Sequence, residues 1–156
     1  MVNINQNFPG KLFCDSMEKE VLKFEQEILR NPKDASAYAG LAVSYIFLWC
    51  YGFLSREDSI PKAKRAAMQA VEINNKLGKA HTALGIMKLS EWDWKGAEQE
   101  FKIAIKLSPE NPDAHHWYAL YLSAIGKHEQ ALKSSRHSLS LSTVSYSDIG
   151  YGSILY

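Results

Sequence analysis

The 156-residue chain lacks the features that mark several specialised classes of protein. It has only two cysteines, Cys14 and Cys50, whose spacing matches neither a metal-ligand set nor a disulfide framework. Its 18 basic and 17 acidic residues leave a formal charge of +1, so no strong field would draw nucleic acid or anionic lipid to it. The longest apolar run, over residues 41–54, is interrupted by Ser44 and Gly52 and is too short to span a bilayer.

The same absences bear on the location of the protein. Two isolated cysteines fit a reducing compartment, and residues 1–11 hold no apolar core of the length that a signal peptide needs. Charged residues make up 22% of the chain and apolar residues 46%, which is ordinary for a globular protein. The sequence therefore predicts a cytoplasmic protein with one domain, long enough to bury a core.

What the chain does contain is one pattern that recurs at a fixed interval. Its clearest series is Ala63, Ala97 and Ala131. Further series at the same interval are Ala70, Ala104 and Ser138; Ile73, Leu107 and Leu141; and the pairs Ala80 and Ala114, His81 and His115, Gly85 and Ala119. Small and large residues recur in matching order, which coincidence does not explain. A 34-residue repeat of two helical patterns is typical of a tetratricopeptide array, so we expect an all-α fold, a right-handed superhelical solenoid of antiparallel helix pairs.

The repeat also sets the predicted organisation of the chain. Residues 1–16 lack periodicity and contain Pro9-Gly10, so we expect a loose N-terminal lead-in. Residues 17–156 would form a single domain. Its parts would be a half repeat over 17–33 with a helix from Met17 to Arg30, a repeat over 34–77 with an insertion at 51–58, full repeats over 78–111 and 112–145, and the truncated start of a further repeat over 146–156. Because that last segment stops within a first helix, the chain is expected to be a piece of a longer protein.

Short polar residues and glycine predict several helix ends. The expected N-caps are Asp34, Asp93 and Asn111, whose side chains can accept from free backbone N–H groups of a first turn. Residues 59–61, Ser-Ile-Pro, are expected to begin the second helix of the first full repeat, because proline is tolerated in a first turn. Gly126 is expected to end a helix in the left-handed conformation.

Several segments resemble the tetratricopeptide family in their residues as well as in their period. They are residues 38–42 (YAGLA), 61–64 (PKAK), 91–94 (EWDW), 96–98 (GAE) with 100–101 (EF), and 115–119 (HHWYA). The resemblance covers about residues 38–156 and is to a bacterial subgroup whose arrays are attached to winged-helix transcription regulators, adenylate cyclases or protein kinases. It implies a non-enzymatic protein–protein interaction module that serves as a scaffold or sensing arm in signalling.

Two positions depart from the family pattern. Trp92 stands where the family has the glycine of the inter-helix turn, and Ser135 stands where it has a large aromatic residue. The missing aromatic weakens the expected packing of the last full repeat. Trp92 and Trp94 flank the predicted cap Asp93, where they would form a hydrophobic clamp around the helix start or, as the alternative, an aromatic docking spot.

The five histidines do not indicate a metal site. His115 and His116 are adjacent on a predicted helix and point about 100° apart, so they cannot chelate one ion locally. His81 and His115 stand where the resemblance implies a helix-packing aromatic, so we expect both to pack. No arrangement of residues meets the geometric requirements of a catalytic centre. The sequence predicts no enzyme activity, no metal and no cofactor.

A second face of the helix that begins at Gly78 indicates a binding groove. Its residues follow helical spacing on a side separate from the packing stripe, and in an array this side lines the concave surface. With the equivalents in neighbouring repeats, the candidate peptide-binding groove comprises Val43, Ile46, Lys79, Thr82, Ile86, Leu89, His116 and Leu120. Its apolar strip would either bind an apolar peptide or helix, or be covered by the insertion at 51–58, and the sequence leaves both open.

The predicted function is binding of a protein or peptide partner within a larger bacterial regulatory protein. The alternative is homo-oligomerisation through the same apolar surfaces. Because the chain has neither a strong basic balance nor a long apolar run, no nucleic-acid binding and no membrane span are expected of this region.

Overall fold

The computed structural model describes residues 9–142 of the chain, which form seven α-helices and no β-strand. The helices are α1 (Pro9–Arg30), α2 (Ala35–Cys50), α3 (Arg56–Ile73), α4 (Gly78–Ser90), α5 (Trp94–Leu107), α6 (Pro112–Ala124) and α7 (His128–Leu141). The starts of α4 and α6 are one sequence period apart, and so are the starts of α5 and α7, so the sequence period is also the structural period. The all-α prediction is confirmed. None of these seven helices is long and apolar enough to cross a bilayer. The further repeat predicted at 146–156 lies outside the described residues.

The chain forms two compact units, the first ending at Asn75 and the second beginning at Lys76. In the first unit, α2 packs against both α1 and α3. The contact with α1 is close because Gly40 faces the ring of Phe24, and a methyl group at Gly40 would overlap that ring. The face of α3 that is buried consists mostly of small residues: Ala63, Ala66, Ala67 and Ala70. Small side chains thus set the helix spacing in this unit.

α1 begins at Pro9, eight residues before the predicted helix start at Met17. Residues 9–16 are therefore helical, and the prediction of a loose lead-in is wrong for this stretch. Proline is favoured at a first helical position, and the ring of Phe13 packs with its centroid 4.5 Å from that of Tyr51. A contact between residues so far apart in sequence leaves no trace in the local periodicity.

α3 begins at Arg56 rather than at the predicted residues 59–61. Its N-cap is Ser55, whose Oγ accepts a hydrogen bond of 3.1 Å from the backbone N–H of Asp58. Pro61 consequently lies inside the helix, where it donates no backbone hydrogen bond. The predicted insertion therefore divides into a short loop and an added first turn of helix.

The second unit contains α4 to α7, with α4 paired to α5 and α6 paired to α7. At the centre of the first pair, Ala97 is 0% exposed, as predicted. The ring of Phe101 lies over Gly85, and a methyl group at that glycine would come within 2.7 Å of the ring. Glycine therefore permits the close approach of α4 and α5 that the repeat pattern requires.

Four predicted helix ends are confirmed. Backbone N–H groups donate to the caps Asp34, Asp93 and Asn111 from Ala37 at 3.0 Å, Gly96 at 2.9 Å and Asp113 at 3.0 Å, respectively. Gly126 has a φ of +80°, which is the left-handed conformation expected where α6 ends. These local signals could be read from sequence because each involves residues three or fewer positions apart.

Two serines of α7 attach this helix to α6. Ser134 Oγ donates to the backbone carbonyl of His115 at 3.0 Å, and Ser138 Oγ donates to the carbonyl of Pro112 at 2.8 Å. Serine has a modest helix propensity, so these residues by themselves favour only a weak helix. The hydrogen bonds across the pair give these serines a tertiary role instead.

Candidate functional site

The residues of the predicted groove differ widely in exposure. Ile46 is 0% exposed, Thr82 is 2% exposed and Ile86 is 3% exposed, so these three cannot line an open groove as they are placed. Of the remainder, Val43, Lys79, Leu89 and His116 are half-buried, and Leu120 is 38% exposed. Burial accounts for the apolar character of much of the predicted strip. Val43 and Ile46 belong to the first unit, and the other six residues belong to the second.

An apolar cavity of about 300 Å³ opens between α6 and α7 in the second unit. Its lining consists of His116, Ala119, Leu120, Ser123, His128, Ala131, Leu132 and Ser135, and we call it the α6–α7 pocket. Two residues of the predicted groove, His116 and Leu120, therefore lie in one pocket. Leu132, which no pattern in the sequence indicates, is 59% exposed at the edge of the pocket. This pocket is the candidate site.

The pocket exists because the third repeat lacks its large aromatic residue. In the second repeat Phe101 is 0% exposed and fills the space over Gly85. The equivalent residues one repeat later are Ser135 and Ala119, and both line the pocket. A serine side chain is far smaller than a phenylalanine ring, so the space stays open.

The corresponding face of the second repeat is covered. The residues one repeat before the eight lining residues are Thr82, Gly85, Ile86, Leu89, Trp94, Ala97, Glu98 and Phe101. α6 packs against α4 and α5 there, and it places Tyr118 and Tyr121 with ring centroids 6.3 and 6.2 Å from that of Phe101. Within residues 9–142 α7 packs only against α6, so no described helix covers the pocket in the same way. Among the helices of residues 9–142, none covers this pocket.

The pocket is also weakly charged. Burial lowers the pKa of His116, and the nearby Asp113 carboxylate opposes this effect. The lowered pKa favours the neutral form of the His116 ring. Leu120 and Leu132 contribute apolar surface, and Ser123 and Ser135 contribute hydroxyl groups. This combination suits an apolar side chain better than a charged one.

The buried histidines serve packing, as expected. His81 and His115 are 7% and 8% exposed. His81 Nδ1 lies 2.7 Å from Glu100 Oε2, and His115 Nε2 donates to the Pro109 carbonyl at 2.7 Å. The ring of His137 meets that of His115 at a centroid distance of 4.5 Å. Among residues 9–142 no three His, Cys, Asp or Glu side chains are grouped so that they could hold a metal ion.

The two tryptophans of the α4–α5 turn differ from the predicted clamp. Trp94 is half-buried and lies 6.5 Å from the ring of Tyr121, so it packs as expected. Trp92 is 70% exposed and contacts Trp94 edge-on, with a centroid distance of 5.6 Å. Its φ of +64° is the left-handed conformation that Gly126 adopts at the equivalent position of the next repeat. The clamp prediction is therefore wrong for Trp92, which the turn holds in a strained and exposed position.

Comparison with known proteins agrees with this architecture. The family model described as Tetratricopeptide repeat matches residues 100–133. Among solved structures, a thermophilic TPR protein of Thermus thermophilus is similar over 88% of this chain and 71% of its own, with a TM-score of 0.67 and 18% identity. MamA is similar over 85% of this chain and 72% of its own, with a TM-score of 0.55 and 15% identity. At these identities the likeness shows the fold.

One group of curated relatives consists of bacterial regulators. The transcriptional regulator HilA of Salmonella typhimurium is 25% identical over 126 residues, and HilA of Salmonella paratyphi A gives the same identity and length. The match covers 81% of this chain but only 23% of either regulator. Arrays of helical repeats provide extended surfaces for binding other proteins. Residues 100–133 match the tetratricopeptide-repeat model, and the shared fold and the regular period of the helices show that the chain has a tetratricopeptide-type fold.

Proposed function

We propose that this chain is a non-enzymatic scaffold or sensing arm of a larger bacterial regulatory protein, and that it binds an apolar helix or peptide of a partner protein in the α6–α7 pocket. The observation that carries the proposal is the open apolar face at Ser135, where the preceding repeat has a filled and covered one. The similarity to part of a transcriptional regulator supports the regulatory setting. The cytoplasmic location predicted from the sequence belongs to the same proposal.

The proposal narrows the predicted groove to the residues that line the α6–α7 pocket. It retains His116 and Leu120, which line the pocket, and adds Leu132. Complete burial of a leucine side chain contributes about 1.5–3 kcal/mol, and the exposed parts of Leu120 and Leu132 would supply a share of this on binding. The loss of translational and rotational freedom opposes that gain, so several apolar contacts must act together.

Peptides selected from a random displayed library against the chain test the proposal. They should bind wild-type protein and lose at least about tenfold in affinity for the double variant Leu120→Ser with Leu132→Ser, because each serine removes apolar surface from the pocket. Leu139→Ser is the matched control, since Leu139 is a similarly exposed leucine of α7 outside the pocket.

Ionic strength gives a second test of the same binding. Apolar contacts persist when charges are screened, so affinity should remain within a few-fold between about 0.1 and 1 M salt. If the selected peptides bind the double variant as tightly as the control, or if high salt abolishes binding, the pocket is not the site.

Homo-oligomerisation is the second candidate, and exposed leucines on α1 favour it. Leu12 is 78% exposed, Leu22 is 57% exposed and Leu29 is 81% exposed. Sedimentation velocity would detect a dimer at micromolar concentration and its loss in Leu22→Ser with Leu29→Ser. A protein that remains monomeric over a hundredfold range of concentration would rule out self-association through this face.

A further inference from the structure

A second cavity, of about 340 Å³, lies among α5, α6 and α7. Its lining consists of Ile105, His115, Tyr118, Leu122, Gln130, Lys133, Ser134 and His137, and we call it the basic cavity. None of these residues lines the α6–α7 pocket. Three of them, His115, Lys133 and His137, can carry a positive charge, and none of the described lining residues is acidic. The basic cavity therefore favours a negatively charged group over a positively charged one.

The preceding repeat shows which group stands in the equivalent place. The residues one repeat before His115 and Ser134 are His81 and Glu100. His81 Nδ1 lies 2.7 Å from Glu100 Oε2, and Lys88 Nζ donates to Glu100 Oε1 at 2.8 Å. The Glu100 side chain is 12% exposed. The second repeat thus holds a largely buried carboxylate between a histidine and a lysine.

The third repeat keeps this histidine but not the carboxylate. Ser134 replaces Glu100, and Leu122 replaces Lys88, and both replacements line the basic cavity. Because serine is much smaller than glutamate, the exchange leaves open the space that the carboxylate fills one repeat earlier. Lys133, the residue before Ser134, stands where the second repeat has a glutamine. The third repeat therefore retains one ammonium group beside this space.

One ring nitrogen of His115 is available to a ligand in the basic cavity. The residue is 8% exposed, and its Nε2 donates to the carbonyl of Pro109 at 2.7 Å. The neutral ring therefore carries its proton on Nε2 and has an unprotonated Nδ1. Nδ1 is also the atom through which His81 meets Glu100. A carboxylate in the equivalent place would meet Nδ1 of His115, which takes up a proton in order to donate to it.

We propose that the basic cavity binds a carboxylate that carries a short apolar chain, and that this carboxylate takes the place of the Glu100 carboxylate of the preceding repeat. The protonated ring of His115 and the ammonium group of Lys133 hold its charged end. Ile105 and Leu122, which also line the cavity, contact its apolar chain. This site goes beyond the function proposed above, because it differs from the α6–α7 pocket in both surface and ligand.

Binding of this kind depends on pH through the groups that line the basic cavity. α6 contributes His115 and Tyr118, α7 contributes Lys133 and His137, and α5 contributes Ile105, which does not titrate. The rings of His137 and His115 meet at a centroid distance of 4.5 Å, so a charge on one opposes a charge on the other. Tyr118 stays neutral, since burial raises its pKa. Because ligand binding adds a proton to a histidine, affinity should rise as the pH falls from about 8 to about 6, where a carboxylate stays charged.

Titration of the full chain with hexanoate, followed by NMR of the histidine rings, tests the site. The ring resonances of His115 should shift saturably below about 10 mM hexanoate. The affinity should rise at least about threefold between pH 8 and pH 6. Hexanol and hexylammonium carry the same chain without the negative charge, so each should bind at least about tenfold more weakly.

Ser134→Glu restores the residue of the second repeat and gives the sharpest variant. Its carboxylate should fill the site and weaken hexanoate binding at least about tenfold. Ser140→Glu is the matched control, since Ser140 is exposed on the same helix outside the cavity, and it should change the affinity less than about twofold. Lys133→Gln replaces an exposed side chain, so the fold is kept, and it should weaken binding about threefold.

Four results would overturn the proposal. They are hexanoate binding no tighter than hexanol, equal losses of affinity in Ser134→Glu and Ser140→Glu, an affinity that does not depend on pH, and a large gain of affinity in Asp148→Asn. The last would show that the one acidic side chain of residues 143–156 already occupies the cavity.

A short peptide that ends in Ala-Leu distinguishes the source of the carboxylate, with its C-terminal amide as the uncharged control. If the peptide with the free carboxylate binds more tightly than hexanoate, the site is assigned to the C-terminus of a protein. If it binds more weakly, the site is assigned to a free acid. Both results support a carboxylate site, whereas equal binding of the peptide and its amide would show that the carboxylate of the peptide is not recognised and would exclude a protein C-terminus.

Discussion

The origin of the α6–α7 pocket predicts that two substitutions must be made together to close it. In the second repeat Phe101 lies over Gly85, whereas the third repeat has Ser135 over Ala119. A phenylalanine introduced at position 135 in the orientation of Phe101 would meet the Ala119 methyl group at about the 2.7 Å given by a methyl built on Gly85. Carbon atoms in favourable contact are about 3.5–4.0 Å apart. Ser135→Phe alone therefore overlaps, and Ala119→Gly removes the overlap.

The expected free energies of unfolding follow from these contacts. Burial of a phenylalanine side chain contributes about 1.5–3 kcal/mol when complete, and the open face of the pocket reduces this. Overpacking costs about 1–3 kcal/mol, so Ser135→Phe alone should change stability little. Ala119→Gly alone should cost about 0.5–1 kcal/mol, because glycine is unfavourable inside a helix. The double variant should exceed the sum of the two single changes by about 1–3 kcal/mol, which is the overlap that the glycine relieves.

A double-mutant cycle measures this coupling. Urea denaturation gives the stability of the four proteins, and hydrogen exchange of the α6 and α7 amides restricts the comparison to the third repeat. Ser140→Phe with Ala119→Gly is the matched control, since Ser140 is exposed on α7 outside the pocket and should not couple. Additivity of Ser135→Phe and Ala119→Gly within about 0.5 kcal/mol would refute the structural equivalence of the two repeats.

Three further predictions concern single side chains, each measured by urea denaturation. Trp92→Gly should be more stable than Trp92→Ala by about 1 kcal/mol. Both variants lose the ring, but only glycine adopts the φ of +64° without strain. Equal stabilities of the two variants would contradict the presence of this strain. Ser138→Ala should lower the free energy of unfolding by about 1 kcal/mol, because the buried Ser138 hydroxyl donates to a carbonyl of α6. Ser140→Ala should lower it by less than about 0.5 kcal/mol, because the Ser140 hydroxyl donates to a carbonyl of its own helix. Equal losses of stability in the two variants would show that the hydrogen bond from Ser138 to α6 does not stabilise the fold. Burial and the Glu25 carboxylate raise the pKa of Tyr45 from 10.0 to about 12, so its stabilising contribution is complete below pH 10 and is lost as the pH rises through 12. Tyr45→Phe should flatten that decline, and an unchanged slope would contradict the assignment to Tyr45.

The parts of the fold that the sequence predicts correctly are those encoded locally. The repeat period places α4 to α7, and Asp93 and Asn111 begin their helices through hydrogen bonds to residues two or three positions on. The burial of Ala97 follows from the recurrence of small residues at one helix position. Each of these features is visible within one or two repeats of sequence.

The errors arise where distant residues decide the structure. α1 extends to Pro9 with the support of a ring contact between Phe13 and Tyr51, which no local pattern reveals. The groove prediction rests on the apolar spacing of Ile86 and its neighbours, but apolar spacing alone does not distinguish an exposed strip from a buried one. Ile86 is in fact 3% exposed.

The sequence indicates that the third repeat differs from the second at the candidate site, but it does not indicate that this difference produces a pocket. The absence of the aromatic at Ser135 is readable from the repeat pattern, and it predicts weaker packing. Only the structure shows that the weaker packing takes the form of a pocket with Leu120 and Leu132 at its edge. The exposure of Trp92 likewise follows from its place at a turn whose geometry suits glycine.

Site-specific photo-cross-linking in living cells, with the full-length protein, tests the central claim most directly. A photoreactive phenylalanine analogue replaces Leu132 in one protein and Leu139 in another, both exposed on α7 but only the first in the pocket. We predict that the analogue at position 132 cross-links to one partner protein and that a library-selected peptide suppresses the cross-link. Position 139 should give no such product. Equal cross-linking at both positions, or none at position 132, would contradict binding through the α6–α7 pocket.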